Sequence, residues 1–174
     1  MESTLLHRHP KASLVVALSL TLSGCGESRL HADFDGLGSV RIGFTVDELS
    51  EALGKSVTLP TDPEDQGCFY VPGDADSSYS FMVVGGSVAR VDIDTPEIPT
   101  QLGARVGDSL DRVRQLYGAA LEEAPHKYTG PRDLYLTVWS PDRASALRFE
   151  TSDGKVSRFY VGRASEVQYV EGCL

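Results

Sequence analysis

Apolar residues recur with helical periodicity in two short segments of the chain. Each segment presents three apolar residues at positions i, i+3 and i+7: Val46, Leu49 and Leu53 in the first, and Leu110, Val113 and Tyr117 in the second. Thr45 and Ser109 come just before, where a side-chain oxygen caps a helix, and Thr45-x-x-Glu48 has the form of a capping box. Gly54 and Gly118 follow, where a helix ends on a left-handed residue. The pattern predicts two short amphipathic helices.

After each helix the pattern becomes typical of β-strands, with aromatic and β-branched residues between turn signals. The first set of predicted strands covers residues 68–71, 79–84 and 88–93, and the second set covers residues 134–139, 146–151 and 156–161. Gly85-Gly86 and Asp153-Gly154 separate the last two strands of each set, and both dipeptides favour tight hairpin turns. Each helix is therefore followed by an antiparallel sheet.

The two halves of this pattern are copies of one unit. Residues 40–54 return 64 positions later, with Arg, Gly, Asp and the final Gly identical. Four further landmarks return at an offset of 68: Phe81, Gly86, Val88 and Arg90 match Phe149, Gly154, Val156 and Arg158. The sequence predicts an α+β fold of two tandem repeats, each a short helix packed on an antiparallel sheet. The repeats span residues 39–95 and 104–174, the second including a C-terminal tail, and the proline-containing residues 96–103 link them.

The opening of the repeat carries a family resemblance. Ile42-Gly43-x-Thr45, followed by Leu53-Gly54, and the tandem plan resemble the tandem-repeat β-lactamase-inhibitor-like proteins and the small outer-membrane lipoproteins related to the assembly-machinery component BamE. The resemblance covers residues 39–162 and implies the fold. It assigns no inhibitory residue, because no binding motif of either family matches this chain position by position.

The N-terminal segment contains an export signal. Leu22-Ser23-Gly24-Cys25 ends an apolar run of eleven residues, which is too short to span a bilayer as a helix. This motif resembles the lipobox of bacterial lipoproteins. The resemblance implies that residues 1–24 are a signal peptide and that Cys25 carries the lipid. The alternative is an ordinary secretory signal with a chance cysteine.

Lipidation at Cys25 would place the protein in the cell envelope, with the lipid anchor in the membrane. An Asp directly after the lipidated cysteine resembles an inner-membrane retention signal. This chain has Gly26 at that position, so the outer membrane, facing the periplasm, is favoured where the source has one. Residues 26–38 are polar and contain glycine without a sustained period. We therefore expect residues 25–38 to form the lipidated cysteine and a flexible tether.

The charge of the chain limits its partners. Sixteen basic and 25 acidic residues give a formal net charge of −9. Because nucleic-acid affinity comes largely from Lys and Arg, this balance argues against nucleic acid as a partner. It also argues against electrostatic attachment to anionic lipid. It suits solubility or a basic partner.

Two cysteines remain when Cys25 is lipidated. An even pair in an exported protein predicts a disulfide between Cys68 and Cys173, which closes a loop of about 105 residues. The pair lacks the C-x-x-C spacing of redox enzymes, so we interpret the bond as structural.

Gly107-Asp108-Ser109-Leu110 spells the nucleophile motif of the GDSL hydrolases. Those enzymes need a histidine base in a D-x-x-H element, which this chain lacks; the nearest approximation ends at His126. Ser109 aligns with Thr45 in the repeat, so we interpret it as a helix N-cap. A serine hydrolase using Ser109 remains the least favoured hypothesis.

The sequence offers little for a metal site. Residues 62–65 and 74–77 are acidic, but neither segment continues into the calcium-binding EF-hand pattern, and whether these loops bind calcium stays open. Two histidines in the mature chain are too few for a zinc site. No cofactor is expected.

The second repeat contains a basic loop that the first repeat lacks. His126, Lys127 and Tyr128 lie in a proline-bounded segment of an acidic protein, and loops often carry function. We interpret these three residues as candidate binding residues, although an ordinary exposed loop has the same composition. The leading hypothesis is a non-catalytic, membrane-anchored protein-binding or scaffold module with an unidentified protein partner. The alternative is an inhibitor of an envelope or foreign enzyme.

Overall fold

A computed structural model describes residue 1 and residues 30–173 of the chain. The predicted signal peptide and the lipobox, including Cys25, lie outside the described residues, so lipidation at Cys25 stays a prediction. None of the described helices is long and apolar enough to cross a membrane.

Within residues 30–173 the structure has two α-helices and ten β-strands. In chain order these are β1 (Ala32–Asp33), β2 (Gly36–Leu37), β3 (Val40–Arg41), α1 (Val46–Leu53), β4 (Cys68–Pro72), β5 (Tyr79–Val84), β6 (Ser87–Ile93), α2 (Leu110–Tyr117), β7 (Leu121–Pro125), β8 (Leu134–Trp139), β9 (Ser145–Ser152) and β10 (Lys155–Arg163). The α+β fold class is confirmed.

The two units join into one antiparallel sheet. Strands β4 to β10 form seven neighbours in the order β4-β5-β6-β10-β9-β8-β7, so the last strand of each unit meets the other at the centre. In that central pair Asp92 lies opposite Tyr160. Those two residues are 68 positions apart, the offset of the repeat, so the units are related by a pseudo-two-fold axis through this pair.

The helices cover one face of this sheet. Leu49 of α1 and Val113 of α2 occupy equivalent positions in the repeat, and both are fully buried. They belong to a single core that also contains Phe81, Phe149 and Phe159 from the strands. A shared core explains how two units of about 60 residues, each marginal alone, form one stable body.

The predicted helix starts are confirmed in detail. The Thr45 hydroxyl accepts a hydrogen bond from the Glu48 N–H at 3.3 Å, and the Glu48 carboxylate accepts from the Thr45 N–H at 2.8 Å. The Ser109 hydroxyl accepts from the Arg112 N–H at 3.2 Å. These contacts satisfy backbone donors that a helix start leaves unpaired.

The two helix ends differ. Gly54 is left-handed, as expected, with φ 63° and ψ 23°. Gly118 has φ 52° but ψ −130°, so the predicted left-handed end is wrong for the second helix. The reason is that α2 runs directly into a 3₁₀ turn, Gly118–Ala120, and then into β7. The sequence pattern does not predict β7 itself, because four of its five residues are exposed and show no apolar alternation.

The predicted tether is wrong from Ala32 onward. Residues 32–37 form β1 and β2, which build a small antiparallel sheet with β3. Ala32 and Leu37 are 1% and 2% exposed. The Ala32 N–H donates to the Pro99 carbonyl, and the Ala32 carbonyl accepts from the Gln101 N–H. Strands of two residues are too short to show a period in the sequence, so only their packing reveals them.

Candidate functional site

The face of the large sheet opposite the helices, which we call the open face, gathers most of the polar chemistry of the protein. Side chains alternate across a strand, so the neighbours of the core residues point to this face. They include Tyr70 on β4, Arg90 and Asp92 on β6, Glu150 on β9, and Arg158 and Tyr160 on β10.

The C-terminal tail, residues 164–173, crosses this open face. It begins after β10 with a 3₁₀ turn, Glu166–Gln168, in which Val167 is fully buried against Ala146 and Tyr160. The tail ends at Cys173, which is bonded to Cys68 on edge strand β4. The predicted disulfide is confirmed, and the bond fastens the end of the chain to the edge of the sheet.

Arg90 holds the middle of the tail. Its Nε and Nη2 atoms donate to the two carboxylate oxygens of Asp92 at 2.6 and 2.7 Å, and Nη2 also donates to the Tyr70 hydroxyl at 2.7 Å. Its Nη1 atom donates to the carbonyls of Glu166 and Tyr169, both at 2.9 Å. Because a guanidinium has five N–H donors, all of them are used.

The Arg90 network lies inside the protein. Arg90 is 3% exposed and Asp92 is 5% exposed, and the guanidinium stacks over the Tyr160 ring at 4.3 Å. The pKa of Tyr70 is raised to about 12, mainly by burial and next by the nearby Asp92 carboxylate. The Tyr70 hydroxyl therefore stays protonated at neutral pH. Arg90 is therefore a positioning residue that fixes the tail on the sheet.

Arg158 occupies the equivalent position in the second unit but has different contacts. Its Nε and Nη2 atoms donate to the Asp94 carboxylate at 2.8 and 2.7 Å, and its side chain is 44% exposed. Nothing comparable to the tail covers it among the described contacts. The duplication has thus produced one buried arginine that clamps the tail and one half-exposed arginine beside it.

A polar pocket of about 330 Å³ opens between these two arginines. Its lining includes Tyr70, Arg90, Asp92, Arg158, Glu150 and Glu171. Arg90 pairs with Asp92 and Arg158 pairs with Asp94. The two glutamates, Glu150 and Glu171, contact the predicted binding loop instead.

The predicted binding loop lies on the same open face, between β7 and β8. The His126 ring stacks on Tyr135 with 4.5 Å between ring centres, and its Nε2 is 3.7 Å from the Glu150 carboxylate. The Nδ1 atom of His126 accepts hydrogen bonds from the backbone N–H groups of Tyr128 and Thr129, both at 3.3 Å. The imidazole therefore organises the loop from within.

Lys127 and Tyr128 reach the C-terminal tail. The Lys127 ammonium is 3.6 Å from the Glu171 carboxylate, and the Tyr128 hydroxyl donates to that same carboxylate. The structure thus brings together the loop, the tail and the polar pocket, which are distant in sequence. A binding role for His126, Lys127 and Tyr128 stays a prediction.

Three exposed tyrosines lie on the tail or beside it. Tyr70, Tyr128 and Tyr169 are 37%, 60% and 41% exposed. The sequence identified Tyr128 as a candidate and placed Tyr70 on a strand, but it gave no reason to select Tyr169. It also missed the role of Arg90. The sequence did offer a signal for Arg90, because Arg90 and its counterpart Arg158 each lie within a predicted strand. A charged residue in a strand needs a partner when it is buried.

The remaining candidate residues have structural contacts. Ser109 caps α2 on the helix-covered face, whereas His126 stacks on Tyr135 on the open face, so the sheet separates the two side chains.

In the acidic loops, Asp62 accepts from the Glu64 N–H and Asp74 accepts from the Ser78 N–H. In the part of the chain that the structure describes, no cluster of three or more His, Cys, Asp or Glu side chains is placed to hold a metal ion.

No protein-family model and no curated protein matches the chain. Among solved structures, the fold is similar to that of an uncharacterised Escherichia coli protein, YfeY, with a TM-score of 0.44 and 13% identity over 78% of this chain and 100% of that chain. It is similar to a Bacillus subtilis DUF4309 family protein, YjgB, with a TM-score of 0.42 and 12% identity over 68% and 78% of the two chains.

An extracellular Bacillus anthracis protein containing an SCP domain matches with a TM-score of 0.44 and 11% identity over 70% of this chain. The match covers 44% of that protein, so the chain spans less than half of its length. At these scores none of the three structures assigns a function to the chain.

Proposed function

We propose that this protein is a non-catalytic, lipid-anchored binding module of the cell envelope that contacts a protein partner through its open face. The observation that carries the proposal is the group of three exposed tyrosines: Tyr169 on the C-terminal tail, with Tyr70 and Tyr128 beside it. Lys127 and Arg158 lie beside them, both about half exposed.

The composition of this surface supports a protein partner. Tyrosine and arginine are enriched at protein interfaces, because each supplies a large contact area together with a hydrogen-bonding group. The tail and the loop are held by Arg90, the disulfide and Glu171, so the surface is organised before a partner arrives. A preorganised surface loses less conformational entropy on binding.

Two other functions are less well supported. An inhibitor of an envelope or foreign enzyme would use the same face, and the identity of the partner decides between the two roles. A serine hydrolase would need a base for Ser109, whose hydroxyl is engaged as a helix cap.

Changing Lys127 and Tyr128 together to Ala should lower the capture of the partner from detergent-solubilised envelope by at least about tenfold, because two contact side chains at the centre of an interface are removed. The melting temperature should fall by no more than a few degrees, since both side chains are mostly exposed and the disulfide still holds the tail. Quantitative mass spectrometry of the captured proteins measures the first effect, and calorimetry measures the second.

The matched control changes Arg112 and Leu59 to Ala, which likewise removes one exposed cation and one exposed large side chain, with Arg112 lying on α2 on the helix-covered side. Capture by this control should equal that of the wild type. Equal capture by wild type, control and the Lys127/Tyr128 variant would mean that the open face is not the binding surface.

Replacing Cys25 with Ser should leave the protein unprocessed or release it from the membrane. Each buried methylene of an acyl chain contributes about 0.8 kcal/mol to anchoring, and two or more chains anchor firmly. Membrane flotation and mass spectrometry of the N-terminal peptide provide the measurement. Ser23→Ala is the control, because it keeps a small residue at the cleavage site and retains Cys25. A wild-type protein that is soluble and carries no acyl group would contradict the anchor.

A further inference from the structure

The helix-covered side of the protein contains an apolar groove of about 330 Å³ that lies away from the open face. It is formed by the end of α2, the turn between β1 and β2, residues 100–102, the end of β8 and part of β9. The apolar lining includes Phe34, Leu102, Leu116, Tyr117, Val138 and Leu147.

Three polar side chains of the groove, those of Asp33, Thr100 and Tyr117, already have partners. The Tyr117 hydroxyl donates to the Thr100 hydroxyl oxygen at 2.8 Å, and that oxygen also accepts from the Ala104 N–H at 3.1 Å. Asp33 accepts from two backbone N–H groups in its own turn. Since the lining offers mainly apolar surface, a ligand gains most there by burying an apolar group.

The internal duplication indicates which apolar group fits. The first unit contains the equivalent groove. Leu53 of that groove corresponds in the repeat to Tyr117 of the second, and Tyr79 corresponds to Leu147. A leucine from the preceding segment, Leu30, lines that groove and lies against Gly38: a Cβ built at Gly38 would be 2.6 Å from the Leu30 Cδ1 atom. This type of groove thus accepts an aliphatic side chain from a passing segment.

In the second unit the N-terminal segment contributes Phe34, which lines one wall of the groove. The position of Gly38 is taken by Leu102, which is 52% exposed and adds apolar surface to the groove. The groove in the second unit is also larger, about 330 Å³ against about 220 Å³. The groove of the second unit therefore has more room and more apolar surface than that of the first, although the N-terminal segment lines both.

The surroundings of the groove are acidic. It continues into a second groove that shares Asp33 and Phe34 and adds Asp35 and Asp142. No Lys or Arg belongs to the described lining of either groove. The nearby Arg143 pairs with Glu122 at 3.4 Å. A partner that enters along this rim is therefore favoured when it carries a positive charge.

We propose that this groove docks a segment of a protein partner that presents a leucine-sized aliphatic side chain next to a Lys or Arg. The inference goes beyond the open face, because the groove lies on the other side of the sheet. A module with one binding surface on each side bridges two proteins, so the groove favours the scaffold role over the inhibitor role.

The test is a selection of phage-displayed short random peptides on the mature, detergent-solubilised protein, followed by affinity measurement with a synthetic copy of an enriched peptide. The enriched peptides should share an aliphatic residue adjacent to Lys or Arg. Leu102→Asp should weaken binding of that peptide by about 30-fold, the scale of a lost interface anchor. Ala120→Phe, which fills the groove from an exposed position of its lining, should weaken binding to a similar extent.

Two further variants separate the groove from non-specific effects. Leu59→Asp introduces the same charge at a similarly exposed leucine outside the groove and should leave the affinity unchanged. Changing Asp35 and Asp142 together to Asn should lower the affinity roughly fivefold at low salt, and the difference should shrink at high salt.

The outcomes are decisive in both directions. Peptides that bind wild type and Leu102→Asp equally, an absence of enrichment, or a groove that accepts a fluorescent fatty acid and no peptide would each overturn the proposal. The Lys127/Tyr128 variant should bind the selected peptide like wild type. Failure of the open-face proposal and failure of the groove proposal therefore give different results.

Discussion

Replacing Arg90 with Ala should lower the free energy of unfolding by about 3–5 kcal/mol, which is the usual cost of breaking a buried ion pair. The substitution leaves the Asp92 carboxylate, 5% exposed, without its charge partner. It also leaves the carbonyls of Glu166 and Tyr169 without their donor, so the tail loses its central attachment. Urea unfolding measures the change in stability, and hydrogen exchange of residues 166–169 measures the release of the tail.

The duplication supplies a matched control at Arg158. Arg158→Ala removes the arginine at the equivalent position of the other unit, but Arg158 is half exposed and contacts Asp94 outside the tail. We expect a loss of less than about 1 kcal/mol, as is usual for exposed ion pairs, and no change in exchange of the tail. Equal effects of the two substitutions would show that Arg90 does not clamp the tail.

A second test separates the charge imbalance from the loss of packing. Changing Arg90 to Met and Asp92 to Leu together removes both charges and keeps apolar bulk. The double variant should be more stable than Arg90→Met alone, because no unpaired charge remains buried. Its tail should nevertheless exchange faster than in the wild type, since the two carbonyls still lack a donor. A double variant no more stable than the single one would contradict the importance of the buried pair.

Replacing Cys68 and Cys173 with Ser should lower the free energy of unfolding by about 3–5 kcal/mol. The bond joins residues 105 positions apart, and the chain-entropy model gives about 4.7 kcal/mol for a loop of this size. Chemical denaturation of the variant, and of wild type with and without reductant, measures the effect. The same variants provide a structural prediction about the tail.

Without the disulfide the tail should stay on the sheet as far as Tyr169, because Arg90 still binds the Glu166 and Tyr169 carbonyls. Only the last residues, from about 170 to 173, should lose protection from hydrogen exchange. A loss of stability below about 1 kcal/mol would mean that the bond does not restrict the unfolded chain as the model assumes. Release of the whole tail would mean that the disulfide, and not Arg90, holds it.

The local features of this protein follow from short stretches of sequence. Thr45 with Glu48, and Ser109, identify the helix starts because capping involves residues three positions apart. Gly85-Gly86 and Asp153-Gly154 identify the hairpins because their positive φ angles are set within the turn itself. The disulfide follows from the even pair of cysteines that remains if Cys25 is lipidated.

Other features depend on what packs above a residue, and only the tertiary structure decides them. Ala32 and Leu37 look like part of a polar tether until they are seen buried beside residues 99–101. The meeting of β6 and β10, which makes one sheet from two units, is a contact between strands more than 60 residues apart.

Arg90 and Arg158 show the physical reason most directly. They occupy the same position in the repeat. Arg90 pairs with Asp92, two positions away in sequence, whereas Arg158 pairs with Asp94, 64 positions away. One is buried and the other is half exposed, because the C-terminal tail lies over the first and not over the second. The sequence by itself determined the repeated unit, its caps and its turns, since those signals act over a few residues. The tertiary structure decided which copy of the arginine became a clamp, because burial depends on a segment more than 70 residues away.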